Sequence, residues 1–307
     1  MATWTAPAPG GSFGPPYSSF FDINSQVWGT ETPIQSPSSA NRPTWNRGYS
    51  QGFIASWTLP GPLEDVYANV SLSDVNWMNS SALVASGATG FPVVAGCGNQ
   101  QTLLVSWNAS NLLGGINVSN STDGGNTWTT STQIATGSPI NGHGVNCITN
   151  NNGFLVVYAD DSQNLWSIFS PDGINWGNSP VQIGTNLAAV SLLTPALSAT
   201  NTGFIVAWCG QDSNVYASYS SNNGNSWTNP VQVINDSSAY QGNFMSVDLA
   251  SSNDYCIVTW INANTREAMY SISRFSTEPD IAPSINSNNS GLYYRVTLNT
   301  PGLRIFR

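Results

Sequence analysis

One spacing constrains this chain more than any other feature: aromatic residues recur about every fifty positions. Trp57, Trp107, Tyr158, Trp208 and Trp260 close short apolar runs, with steps of 50, 51, 50 and 52 residues. Gly52-Phe-Ile-Ala-Ser-Trp57, Gly153-Phe-Leu-Val-Val-Tyr158 and Gly203-Phe-Ile-Val-Ala-Trp208 are near copies, while Thr102 to Trp107 and Tyr255 to Trp260 are looser ones. A second ladder, Trp28, Trp77, Trp128, Trp176 and Trp227, has steps of 49, 51, 48 and 51. Two ladders sharing one period mark an array of like units, none of which can bury its apolar faces alone.

Within each period, short runs rich in Val, Ile, Tyr and Trp are punctuated by Gly, Asn, Asp and Ser, a pattern of strands and turns with no competing helical period. In the third period the strands read Gly144 to Thr149, Phe154 to Tyr158, Leu165 to Ser170 and Val181 to Ile183. Four antiparallel strands in about fifty residues make the blade of a β-propeller. Complete blades occupy about residues 42–90, 91–140, 141–191, 192–242 and 243–288. The ends are complementary: residues from Tyr17 to Gln35 resemble the outer half of a repeat, and Tyr293 to Leu298 with Leu303 to Phe306 the inner half. The expected fold is therefore all-β, a single six-bladed propeller domain over residues 1–307 with four-stranded antiparallel blades. A split blade, 289–307 plus 1–41, would close it with two strands from each terminus and so hide the sheet edges.

Charge excludes several functions. Only 7% of residues are charged and the net charge is -9; all seven positive side chains are Arg, and none lies between residues 48 and 265. Nucleic-acid binding, which needs a cationic footprint, is not expected. A phosphate-binding Walker loop and Schiff-base chemistry both require the lysine this chain lacks. No apolar run is long enough to span a membrane as a helix, and the first 21 residues lack the basic start and long apolar stretch of a signal peptide. Cys97, Cys147, Cys209 and Cys256 are spaced far apart, without the Cys-x-x-Cys pair of a zinc or redox site, and read as buried free thiols. No metal site and no cofactor is expected.

One turn recurs. Ser121-Thr-Asp123-Gly-Gly125-Asn-Thr127-Trp128 reads S-x-D-x-G-x-T-W, with a carboxylate that accepts from its own turn, glycines that take positive φ, and a Trp expected to pack under the next sheet. Ser170-Pro-Asp172-Gly-Ile-Asn-Trp176 is one residue shorter, and Ser221-Asn-Asn223-Gly-Asn-Ser-Trp227 replaces Asp with Asn. Ser71 to Trp77 and Asp22 to Trp28 are degenerate, and the fifth blade has lost the motif. These turns resemble Asp boxes, the bacterial neuraminidase repeats, and the chain resembles the propellers of the sialidase-like superfamily. On that resemblance Asp123, Trp128, Asp172, Trp176 and Trp227 are structural, set on the rim away from the central site.

The same resemblance implies where a hydrolase site would lie. Three arginines would clamp a substrate carboxylate, a Tyr paired with a Glu would be the nucleophile, and an Asp the acid/base. Arg42 stands at the start of the first inner strand, Glu64 or Asp65 in the following loop, and Tyr293 or Tyr294 in the split blade, with Arg266 and Arg295 left to complete the clamp. Residues 193 to 243 contain neither Arg nor Glu, so the set departs from the family pattern. His143, the sole histidine, could approach the axis, and Asp161 and Asp212 sit beside aromatics in equivalent loops suited to sugar hydroxyls. The leading expectation is a glycan-binding or adhesive module, secreted or at the cell surface, whose carbohydrate could be anionic. A sialidase-type glycoside hydrolase and a scaffold for a protein partner are the rivals.

Overall fold

The computed structural model describes residues 2–7, 13–22, 24–34, 45–49, 51–59, 64–73, 76–88, 93–109, 115–136, 144–160, 162–177, 179–185, 194–201, 203–233, 239, 247–252, 255–265 and 267–274. Every regular element among the described residues is a strand. The chain begins with β1 (Ala2–Pro7), β2 (Phe13–Ser19), β3 (Phe21–Asp22), β4 (Val27–Trp28) and β5 (Thr32–Pro33). Of these, β1, β2 and β5 form an amino-terminal sheet and β3 pairs with β4. Sheet one holds β6 (Trp45–Tyr49), β7 (Gly52–Leu59), β8 (Glu64–Ser73), β9 (Asn76–Trp77) and β10 (Ala82–Ala88), with β9 beside β8.

Sheets two to four are four-stranded antiparallel meanders. Sheet two is β11 (Val94–Gly98), β12 (Leu103–Ala109), β13 (Gly115–Ser121) and β14 (Thr132–Ala135). Sheet three is β15 (Val145–Asn150), β16 (Gly153–Ala159), β17 (Leu165–Ser170) and β18 (Val181–Gly184), within one residue of the strands expected. Sheet four is β19 (Ala196–Ala199), β20 (Phe204–Cys209), β21 (Val215–Ser220) and β22 (Val231–Gln232). Sheet five contributes β23 (Val247–Ser251), β24 (Tyr255–Ile261) and β25 (Ala268–Arg274).

The sheets stack through their second strands. Alternation along β16 sends Phe154, Val156 and Tyr158 into a core shared with sheet two, and Leu155, Val157 and Ala159 into one shared with sheet four. In β20, Phe204, Val206 and Trp208 face sheet three while Ile205, Ala207 and Cys209 face sheet five. Both faces are therefore buried, which is why the second strands read as unbroken apolar runs. The first strands β6, β11, β15, β19 and β23 lie side by side in that order. All four cysteines are free and buried, Cys97 with Cys147 in one core and Cys209 with Cys256 in another.

The amino-terminal sheet follows the same plan with one strand more than expected. Trp4 pairs with Tyr17 as Trp57 pairs with Tyr67 and Trp208 with Tyr216. By register, β1, β2 and β5 are thus second, third and fourth strands, and β1 adjoins β6 as β7 adjoins β11. Three strands come from this end, not two. The sequence hides β1 because Trp4 lacks the Gly-Phe opening of its counterparts. That glycine answers crowding: a Cβ on Gly153 would lie 2.4 Å from the Ser170 carbonyl oxygen.

The turns between third and fourth strands are closed by their own side chains. Asp123 accepts from the Thr127 amide at 2.9 Å, the Thr127 hydroxyl at 2.6 Å and the Ser121 hydroxyl at 2.8 Å. Asp172 accepts from the Ile174 and Asn175 amides at 2.9 and 2.8 Å. In sheet four the equivalent acceptor is Asn222, which receives the Ser226 amide at 3.0 Å, while Ser220 takes the serine position. The motif therefore runs Ser220-x-Asn222, one residue earlier than the spacing from Asn223 implied. Asn223 instead takes a left-handed φ of 61°, where the Asp123 turn has Gly124.

In sheets one to four the Trp of the turn packs toward the preceding sheet, not the next. Trp77 Nε1 donates to Ser18 at 2.7 Å and Trp227 Nε1 to Ser167 at 3.0 Å. The reason lies in the turn glycine: a Cβ on Gly125 would strike Val70 at 2.6 Å, so the bare backbone lets the turn lean backwards. Ser18 and Ser167 share one register position, opposite Thr3 and Val157, and Ala68 holds it in sheet one. There Trp128 packs against the core shared by sheets one and two, and its Nε1 is buried with no hydrogen-bond partner among the described residues.

Two outcomes are expected. Ser167→Ala orphans the Trp227 N–H and costs about 1–3 kcal/mol, whereas Ala68→Ser offers Trp128 a partner and gains about 1 kcal/mol, both read by urea unfolding. The donors on Asp123, led by the Thr127 hydroxyl, hold its pKa at about 2. For Asp172 burial pulls upward, but the Asn175 and Ile174 amides prevail and its pKa is also about 2. A folded-state pKa below the unfolded value stabilises above the ordinary carboxylate range, and that stability is lost as pH falls towards 2. Asp123→Asn with Asp172→Asn is expected to flatten the acid limb of a melting-temperature profile.

Candidate functional site

The loops joining second to third strands carry the most concentrated chemistry. In sheet three the loop closes through Asp160 N to Asn164 O at 2.9 Å, and in sheet four through Gly210 N to Asn214 O at 2.8 Å. The residue before each Asn is left-handed, Gln163 at φ 62° and Ser213 at φ 61°. A non-glycine residue there costs about 1 kcal/mol or more, held by the surrounding hairpin. Each loop then presents an Asn and, two residues on, an aromatic: Asn164 with Trp166, Asn214 with Tyr216.

A carboxylate gathers both groups, but from different loop positions. Asp160, the first loop residue, accepts the Asn164 amide at 2.9 Å, the Asn164 side chain at 3.1 Å and Trp166 Nε1 at 2.8 Å. Asp212, the third, accepts the Asn214 amide at 3.1 Å, its side chain at 2.8 Å and the Tyr216 hydroxyl at 2.6 Å. Burial raises the Asp212 pKa, yet the Tyr216 and Asn214 donors outweigh it, so the carboxyl lies below its ordinary value and is ionised near neutrality. The hydrogen bond to Asp212, then burial and the carboxylate's charge, raise the Tyr216 pKa in turn. In sheet three, burial followed by the charge of Asp160 pushes Tyr158 up to about 12. Neither tyrosine is an activated nucleophile, since each is held in its protonated form.

Asp212 lies in a cleft of about 490 Å³ at the boundary of sheets three and four, lined by Thr185, Trp208, Gln211, Tyr216 and Pro230. Trp208 and Tyr216 stack with centroids 6.0 Å apart and planes at 25°. Gln211 donates its side-chain amide to Gln163 of the neighbouring loop, tying the two sheets at the rim. Of the four oxygen lone-pair positions on a carboxylate, Oδ2 of Asp212 meets two donors and Oδ1 one. Oδ1 therefore keeps capacity for a ligand hydroxyl.

A different residue ties distant sheets together. Arg47, on β6, donates to Leu197 O at 3.3 Å and to Asn146 Oδ1 at 3.4 Å, reaching from sheet one to sheets four and three. Asn146 Nδ2 passes the chain on to Pro195 O at 2.9 Å. Sequence reasoning missed Arg47 because its partners lie 99 and 150 residues away, beyond any local pattern.

Of the residues the sequence singled out, Asp212 joins the cleft. Asp65 and Glu64 stand on β8, not in a loop, because that strand starts at Glu64; Asp65 Oδ1 accepts the Gly87 amide at 3.3 Å, and Glu64 is buried. Arg42, His143, Asp161, Arg266, Tyr293 and Arg295 lie outside the described residues. Among the described residues, no three His, Cys, Asp or Glu side chains come together as a metal-binding group. No helix among them is long and apolar enough to cross a membrane.

Tyr216→Phe removes a donor from Asp212, so an NMR titration of that carboxyl is expected to show its pKa rise. Arg47→Met is expected to cost about 1–3 kcal/mol in urea unfolding, since two acceptors lose a charged donor.

No family model matches the sequence, and no curated protein matches it. Solved structures do resemble it. The fucose-specific lectin from Aleuria aurantia has a TM-score of 0.51 at 14% identity, covering 89% of this chain and 90% of its own. The BP39L lectin from Burkholderia pseudomallei has a TM-score of 0.59 at 18% identity over 84% of this chain and 75% of its own. The NanB sialidase from Streptococcus pneumoniae has a TM-score of 0.55 at 10% identity over 80% of this chain and 61% of its own. One structure of the Aleuria lectin is described as a six-bladed β-propeller. At these identities the likeness is one of fold: the chain has the all-β propeller architecture that these lectins and this sialidase share.

Proposed function

We propose that this chain is a glycan-binding module whose saccharide site is the cleft between sheets three and four. The observation that carries the reading is the cluster of ionised Asp212, protonated Tyr216 and Trp208 beside Pro230, Gln211 and Thr185. A sugar ring offers C–H faces to an aromatic and Pro surface and hydroxyls to a carboxylate with acceptor capacity to spare. The raised Tyr216 pKa suits holding a ligand and opposes attacking one. The two lectins among the structural neighbours, one of them fucose-specific, support carbohydrate as the ligand class. At this cleft the negative charge of Asp212 favours a neutral sugar; an anionic glycan would call on Arg42, Arg266 and Arg295.

The architecture we propose with it is a six-bladed ring. The amino-terminal sheet has second, third and fourth strands, so residues 289–307 would supply an innermost strand beside β1 and close the circle. The Ser-x-Asp turns are Asp boxes on this reading, serving the scaffold. Low charge, absent lysine and abundant Asn, Ser and Thr favour a secreted or cell-surface location.

On a glycan array followed by calorimetry, neutral glycosides are expected to bind at up to millimolar strength. Asp212→Ala and Tyr216→Ala are each expected to weaken binding about tenfold, or roughly 1.4 kcal/mol. An array without signal, or fluorophore release from a sialoside, would overturn the binding-module reading. Deleting residues 293–307 is expected to abolish cooperative unfolding, and an unchanged melting temperature would overturn ring closure.

A further inference from the structure

In an antiparallel meander the first turn and the second loop lie at opposite ends of the sheet. At the end away from the cleft, the first turns of sheets one, two and three surround a depression of about 460 Å³. Its wall includes Gly48 and Gly98 together with three carboxamide residues, Gln100, Gln101 and Asn151. Those three are exposed, and none of their side chains makes a hydrogen bond among the described residues. Their turns are nonetheless fixed: Asn99 Oδ1 accepts the Gln101 and Thr102 amides at 2.9 and 2.8 Å, and Asn150 Oδ1 the Asn152 amide at 2.9 Å. Loose carboxamides therefore stand on held backbone.

A second observation points to a ligand. Tyr49 lines the same depression, and its hydroxyl is buried with no hydrogen-bond partner among the described residues. An unmet buried hydroxyl costs about 1–3 kcal/mol, which a ligand would recover where a turn of the Tyr49 ring brings the hydroxyl to the depression. Burial also raises the Tyr49 pKa, so the group stays a neutral phenol. Among the described residues, no charged side chain lines the depression. Carboxamides donate and accept equally, so the matching ligand carries both kinds of group and no net charge.

We propose that this depression is a second binding site, for a neutral hydroxyl- or acetamido-bearing saccharide residue, read by Gln100, Gln101, Asn151 and the Tyr49 hydroxyl. It lies at the end of the molecule opposite the Asp212 cleft and needs nothing from it. Two sites facing opposite ways let one chain bridge two glycan-coated surfaces.

The test titrates the full chain with N-acetylglucosamine, methyl α-L-fucoside and methyl β-D-galactoside, following saturation transfer by NMR, and adds glycan-coated beads to score bridging. Tyr49→Phe is expected to weaken the second site about tenfold while leaving unfolding stability unchanged or raised, a split that a merely structural tyrosine would not give. Gln101→Ala with Asn151→Ala is expected to abolish that site and bead bridging yet spare binding at the cleft. Asp212→Ala alone is expected to leave residual saccharide binding and to end bridging. If Asp212→Ala removes all binding, the second site is overturned and the cleft stands. If only the Tyr49, Gln101 and Asn151 variants lose binding, the cleft is overturned and the second site stands. No binding to any of the three sugars overturns both.

Discussion

Everything in this molecule depends on second strands that have no outer face. β16 and β20 bury every residue, alternately against the sheet before and the sheet after. An isolated sheet would expose one apolar row on each side, so no blade is a stable object by itself. The apolar area that stabilises the fold is almost wholly between sheets. This requirement leaves the first strands packed on one another and the fourth to solvent, and it fixes where loops can carry function: at the two ends of each sheet.

Scarcity of charge follows from the same constraint. Turns that elsewhere would be solvated by Lys and Glu are closed here by Ser, Asn, Asp and Gly bonding within the turn, as around Asp123, Asp172 and Asn222. The turn leans on its predecessor through a bare glycine, so a motif that looks local is also an intersheet contact.

The period, the strand positions and the self-closed turns were legible in the sequence because each rests on short-range chemistry repeated many times. Sheet three was readable to within a residue because its turns carry Gly and Asp at regular offsets. What escaped was whatever depends on register between distant segments. Trp4 belongs to the aromatic ladder, but only its pairing with Tyr17 reveals that. Asn222 and Asn223 are both plausible letters for one turn, and the backbone at φ 61° decides between them. Asp160 and Asp212 hold the same Asn and aromatic neighbours from different loop positions, so alignment by letter alone would not pair them. The cleft was half visible: Asp212 stood out beside aromatics, whereas Thr185 and Pro230 come from a preceding sheet and a later turn.

Arg47 changes what kind of repeat protein this is. Arrays of like units usually couple each unit to its neighbours alone, so their stability is a sum along a line and they can unravel from an end. A guanidinium that leaves sheet one and bonds to sheets three and four couples units that are not adjacent. Loss of sheet one would then be felt at once in sheets three and four, and partial unfolding from the amino-terminal end would carry an added penalty. One arginine among so few charges thus moves the molecule from a chain of modules towards a single cooperative unit.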